Sequence, residues 1–156
     1  MGWLKAGQPR FIAVQAEGCA PLARAWDEKA DTTSTVENPF TNVSGLRVPG
    51  PFAGRQMLRL MRETGGHPHT VGELAIVDAQ RLLARLEGIW TTPEGAATLA
   101  ALLQMRDEGR VTPSERVVLI LTAAGIKNAP PPFPAPIHLE GAPADILARM
   151  KEAMRA

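Results

Sequence analysis

The chain has 156 residues, 45% of them hydrophobic, and 17 basic side chains against 16 acidic ones leave a net charge of +1. That length holds one domain with a sizeable core rather than two. The balanced charge argues against a protein that tracks nucleic-acid phosphates, and the excess of arginine over lysine reads as compositional bias.

Arg10–Gln15 (RFIAVQ) reads as a buried strand that begins almost at once, a position that suggests something normally precedes it. A turn at Glu17-Gly18-Cys19-Ala20 follows, and Pro21 opens a helix to about Lys29. Ala30–Thr41 is polar and reads as an exposed loop. Asn42–Val48 is expected to be a short extended piece around Gly45. Pro51 then introduces a helix over 52–64, with Phe52, Met57, Leu60 and Met61 inward. Gly65-Gly66 closes it, His67–Val71 is a short strand, and Glu73–Glu87 is an amphipathic helix. In that helix Leu74, Val77, Leu82, Leu83 and Leu86 are available for burial.

The stretch from Glu87 to Lys127 is the most informative. Thr92 suits an N-cap, Pro93 a first helical position, and Glu94 the positive end of the helix dipole. Gly95, Ala96 and Ala97 let a neighbour approach that helix start closely. The apolar run Val117–Leu121 predicts a strand over 116–122 covered on both faces, as in parallel sheets. Open α/β sheets bind ligands beyond the carboxyl ends of such strands. Thr92–Ala97 and Thr122–Gly125 therefore form a candidate ligand-facing end, though packing alone also explains their small residues. Ala129–Pro136 can be neither helix nor central strand, and a last amphipathic helix over 143–155 carries Ile146, Leu147, Met150 and Met154 on one side. Strands alternating with helices predict a three-layer α/β fold with a mostly parallel sheet.

Little else carries chemistry. His67 and His69 share a strand face, but no third ligand is nearby, so they read as surface residues and no metal is expected. A PxxP at Pro131–Pro134 reads as a spacer. Lone Cys19 excludes an internal disulfide, fits a reducing compartment and reads as a small buried hydrophobe. Ser44 and Ser114 lack the motif of a nucleophile. No apolar run reaches membrane-spanning length, so a cytoplasmic protein with neither membrane nor nucleic-acid partner is expected.

Four stretches carry a resemblance: PRFIAVQAEGCAPLARAW (Pro9–Trp26), VSGLRVPGPF (Val43–Phe52), EGIWTTPEGAATLAAL (Glu87–Leu102) and ERVVLILTAAGIK (Glu115–Lys127). In order and spacing they resemble the C-terminal half of the threonine synthases, within the fold-type II pyridoxal-phosphate enzymes. Threonine dehydratase and cysteate synthase share parts of the pattern. The resemblance implies pyridoxal 5'-phosphate as cofactor and conversion of O-phospho-L-homoserine and water to L-threonine and phosphate.

It also implies that Thr122 bonds the pyridine nitrogen of the cofactor and that Ser44 and Gly45 lie beside it. Pro93, Glu94, Gly95, Ala96, Ala123 and Gly125 would line the pocket. Ala123 stands where the family loop has glycine. On this resemblance the half that supplies the Schiff-base lysine is expected to be missing, and Lys5, Lys29, Lys127 and Lys151 lie outside any such motif. No catalytic residue is therefore expected in this chain, which should be inactive alone.

The expected organisation is a C-terminal part of a large domain over 1–128, a proline-rich linker over 129–142 and a helix over 143–156 packing on that domain. The expected partners are an N-terminal half or a second copy, with a small amino-acid substrate. The rival expectation is a non-catalytic interaction module or remnant.

Overall fold

The computed structural model describes residues 7–128 and 141–153, so most of the expected linker, its PxxP and Met154 lie outside the described residues. Its elements are β1 (Ile12–Ala16), α1 (Pro21–Asp27), α2 (Gly54–Thr64), β2 (His67–Val71), α3 (Glu73–Glu87), α4 (Pro93–Asp107) and α5 (Pro143–Ala153). Two short 3-10 turns, Ser44–Leu46 and Gly125–Lys127, complete the set. The segment over 42–48, expected to be extended, is instead built around the first of these turns.

β1 and β2 pair in parallel, from Ile12 opposite His67 to Ala16 opposite Val71. A parallel pair needs a long crossover, which α1, a loop and α2 provide. On one face Leu22 and Ala25 of α1 and Leu58 and Met61 of α2 pack over Ala13. On the other, Ile76 and Ala79 of α3 and four alanines of α4 pack with Val71, and Val14 joins them. The expected three-layer α/β arrangement with a parallel sheet is thus present. α4 is its hub, since none of the residues from Thr91 to Met105 is fully exposed. Ala96, Ala97, Ala100 and Ala101 leave room for α3 and the sheet to approach at the same time.

Two helix faces differ from expectation. In α2 the helix starts at Gly54, which leaves Phe52 outside it and fully exposed, and turns Leu58 and Met61 inward in place of Leu60. In α3 the buried stripe is Ile76, Ala79, Gln80 and Leu83, with Leu74 and Leu86 exposed. That stripe has the i, i+3, i+4, i+7 spacing of one helical face, and it is the face that meets α4. Both helices end as expected on a left-handed glycine, Gly65 at φ 69° and Gly88 at φ 66°.

The largest departure is the apolar run. Residues 116–122 form no strand, and among the described residues their main chains make no hydrogen bond. Val118 is 80% exposed and Ile120 70%. In α5, Leu147 and Met150 are also exposed.

Candidate functional site

Three segments meet at the N-terminus of α4. Thr92 caps the helix, its Oγ1 accepting from the Gly95 N–H at 3.5 Å, with Pro93 at the first helical position. Glu94 in the first turn accepts the Gly45 N–H at 3.0 Å, which fastens the Ser44–Leu46 turn to the helix start. A side chain at position 45 would run into that carboxylate, since a Cβ there would lie 2.7 Å from Glu94 Oε1. The same loop is held from behind by Glu73, which accepts from the Thr41 hydroxyl and from the Asn42 N–H.

The segment from Leu121 to Gly125 forms the third side. The Ala123 carbonyl accepts from Thr91 Oγ1 at 3.0 Å and from the Thr92 N–H at 3.1 Å. The Gly125 N–H donates to the Trp90 carbonyl at 2.8 Å, and Thr91 and Ala124 form an antiparallel bridge. Gly125 lies flat against the Trp90 ring, where a Cβ would be 2.4 Å from Cδ1. Buried Gln80 completes the clamp by donating to the Thr91 carbonyl at 2.6 Å. Thr122, itself exposed, directly precedes the anchored Ala123. Ala123 does not adopt a positive φ, so alanine causes no backbone strain in this loop.

Gly45, Glu94, Gly95, Ala123 and Gly125 meet around one helix start, with Ser44 and Thr122 next to them in the chain. Gln80, Thr91, Thr41 and Glu73 are the residues that sequence reasoning missed. Gln80 has a legible signal, a polar residue inside the buried stripe of α3; the others act through contacts that chain order does not reveal.

Neither histidine is fully exposed, and His67 is half-buried. His69 is buried, with Nε2 3.0 Å from Gln104 Oε1, and His67 stands edge-on to it with ring centroids 6.2 Å apart. Among the described residues no group of three metal-ligating side chains exists. His67 is pushed down to about 4, first by burial, then by the charges of Arg110, His69 and Arg10, with Glu108 opposing. Its Nε2 is buried without a hydrogen-bond partner among the described residues, which a neutral ring tolerates better than an imidazolium. Because the folded value lies below the ordinary 6.5, stability is complete above pH 6.5 and falls as the pH drops toward 4. After discounting for solvent screening, the loss is about 1 kcal/mol. Urea titrations at pH 7.5 and 4.5 should show it in the wild type and not in His67→Gln.

A sequence profile described as "Pyridoxal-phosphate dependent enzyme" matches residues 3–123. The chain belongs to this pyridoxal-phosphate-dependent family. Over 120 residues it is 33% identical to the threonine synthase of Methanocaldococcus jannaschii and 36% identical to that of Methanosarcina acetivorans. Each match covers 77% of this chain and 30% of the relative, so the chain spans about a third of the length of these family members, in their C-terminal portion. Among solved structures, maize serine racemase matches with a TM-score of 0.58 and 19% identity over 94% of this chain and 39% of its own. A T.th. threonine deaminase matches with a TM-score of 0.55 and 23% identity over 77% of this chain and 41% of its own. Both are fold-type II enzymes, and at these identities they speak for the fold.

The family cofactor can be weighed against the residues in place. A neutral hydroxyl on Thr122 and the small residues around it suit the edge of a heteroaromatic ring. The lysine that attaches the cofactor has no counterpart among these residues, and Lys127 is exposed in the turn that follows. These residues are compatible with the edge of the cofactor ring, and among the described residues at the site there is no lysine to attach it.

Proposed function

We propose that this chain is the cofactor-facing C-terminal portion of a threonine synthase-like lyase of the cytoplasm. Joined to the rest of the fold, it converts O-phospho-L-homoserine and water to L-threonine and phosphate. The observation that carries the reading is the loop over 121–125, clamped to the start of α4 with Thr122 left exposed, in a sequence related to threonine synthases.

When bound, the cofactor supplies an electron sink for negative charge on the substrate carbon. In this reading the Thr122 hydroxyl would hold the cofactor at its ring nitrogen. A neutral hydroxyl does not stabilise a proton on that nitrogen as a carboxylate would. Ser44 and Gly45 would flank the cofactor, and the Glu94–Gly45 bond keeps their turn in place. Thr91 and Gln80 act at one remove, because they hold the loop that carries Thr122.

The test is phosphate release from O-phospho-L-homoserine by this chain mixed with the lysine-bearing portion of a threonine synthase. The chain alone is expected to release none. Thr122→Val, close in shape and at an exposed position, removes one hydrogen bond of about 1–1.5 kcal/mol and should lower kcat about tenfold. A mixture that binds cofactor yet releases no phosphate, or a valine variant of unchanged kcat, contradicts the reading.

A further inference from the structure

α3 begins at Glu73, with Gly72 as an N-cap that brings no side chain. A carboxylate in a first turn is favoured by the helix dipole and commonly faces the free amides there. Glu73 instead turns both oxygens to the segment that leads into the Ser44–Leu46 turn. Oε1 accepts from the Thr41 hydroxyl, and Oε2 accepts the Asn42 N–H at 3.2 Å. A carboxylate only accepts, so the single proton of the Thr41 hydroxyl goes to Glu73 and its oxygen stays free to accept in turn. It takes the Val43 N–H at 3.1 Å.

The relay ends in the turn itself. The Val43 carbonyl accepts the Leu46 N–H at 3.0 Å, the bond that closes the turn. Thr41 is 3% exposed and Val43 5%, so this polar path runs through the interior, where a lost partner is costly. Val43 also belongs to the apolar cluster of Ile76 and Ala79 from α3 and Ala96 and Ala97 from α4. The turn is thus tied to the first turns of two helices. Glu94 of α4 holds it directly at the Gly45 N–H, and Glu73 of α3 holds it through Thr41 and Val43.

We propose that Glu73 is a positioning residue of the cofactor site. It touches neither cofactor nor substrate. Through Thr41 and Val43 it fixes where the Ser44–Leu46 turn stands, and so sets how Ser44 and Gly45 present themselves to the cofactor. This role rests on the reading above, while the tie itself can be tested in the chain alone. Glu73→Gln keeps the side chain's shape but leaves one accepting oxygen for two donors, Thr41 and Asn42. Thr41→Val removes the hydroxyl that carries the relay, and Thr41→Ser keeps it.

Amide exchange in the full 156-residue chain reads the tie. In Glu73→Gln and in Thr41→Val the Val43 and Leu46 amides should exchange about tenfold faster, the loss of roughly one hydrogen bond. Thr41→Ser should stay within about threefold of wild type, as should the His67 amide of the β1–β2 ladder in all three variants. In the mixture with the lysine-bearing portion, Glu73→Gln should shift the bound-cofactor absorbance band or its pH dependence. It should also lower kcat about fivefold, with KM for O-phospho-L-homoserine within about twofold. Wild-type exchange at Val43 and Leu46 in both variants overturns the tie. Faster exchange with an unchanged band and kcat overturns the positioning role. A wild-type mixture that binds no cofactor counts against the lyase reading, and the exchange rates then decide by themselves whether Glu73 holds the turn.

Discussion

Gly95→Ala should destabilise the chain by about 2–3 kcal/mol, opposite in sign to the usual effect of alanine in a helix. The cause is steric. A Cβ at position 95 would lie 2.3 Å from Thr91 Oγ1, with Leu121 Cα behind it at 3.4 Å. Thr91 cannot swing aside cheaply, because its hydroxyl is bonded to Ala123 and its carbonyl to Gln80. Either the Ala123 bond breaks or the start of α4 retreats from the loop that carries Thr122. A double-mutant cycle isolates this cause. Thr91→Ala alone costs about 1–2 kcal/mol through lost hydrogen bonding, and it removes the atom that the new methyl at position 95 strikes. The double variant should therefore be at least about 1 kcal/mol more stable than the sum of the single losses predicts. Additive losses in urea denaturation would mean that Thr91 and Gly95 are not in the contact described.

Gly66→Ala should cost more, at least about 3 kcal/mol, and leave much of the chain unfolded at 37 °C. The new methyl would sit 1.8 Å from the Phe11 carbonyl oxygen and 3.0 Å from the Phe11 nitrogen. Both are main-chain atoms, with no rotamer to adjust. That carbonyl accepts the first hydrogen bond of the parallel ladder, from the His67 N–H, so relief of the clash separates β1 from β2 where their pairing begins. The adjacent Gly65 is the control. It has a positive φ of 69° and nothing within 4 Å of its Cβ position, so Gly65→Ala meets only backbone strain of about 1–2 kcal/mol. Thermal melts followed by circular dichroism should separate the two variants widely. Equal losses would contradict the close approach of Gly66 to Phe11.

These two glycines also show what the sequence makes legible. A Gly-Gly pair after an amphipathic helix announces a helix end, and Gly65 fills that role. The work of Gly66 depends on Phe11, more than fifty residues away, and no local pattern reveals it. The bounds of β2 and α3 and the start of α4 can be read because strong local signals coincide there: Thr92 with Pro93, and Glu73–Glu87 with a glycine on either side. Burial within α3 is harder to read. Leu74 and Leu86 compete with Ile76 and Leu83 for the inward face, and the alanines of α4 decide between them.

His67 and His69 look like surface residues on a short strand until α4 and Arg110 close over them. Residues 116–122 fail differently. Their composition describes a strand buried on both faces, whereas the described chain provides no strand to pair with them. Composition there reports an environment that the described residues do not provide. The candidate site divides the same way. Thr92, Pro93 and Glu94 are visible as a helix start, and the resemblance adds Thr122, Ser44 and Gly45. The clamp of Thr91 and Gln80 that brings these pieces together becomes visible only in three dimensions.

The visible absorbance of pyridoxal 5'-phosphate bound to the reconstituted pair, wild type against Thr122→Val, tests the central claim most directly. If this chain supplies the ring-nitrogen side of the site, the wild-type pair shows a bound-cofactor band and the valine variant shows that band shifted in position or pH dependence. A pair that forms the complex and binds the cofactor with the same spectrum in both proteins would contradict it.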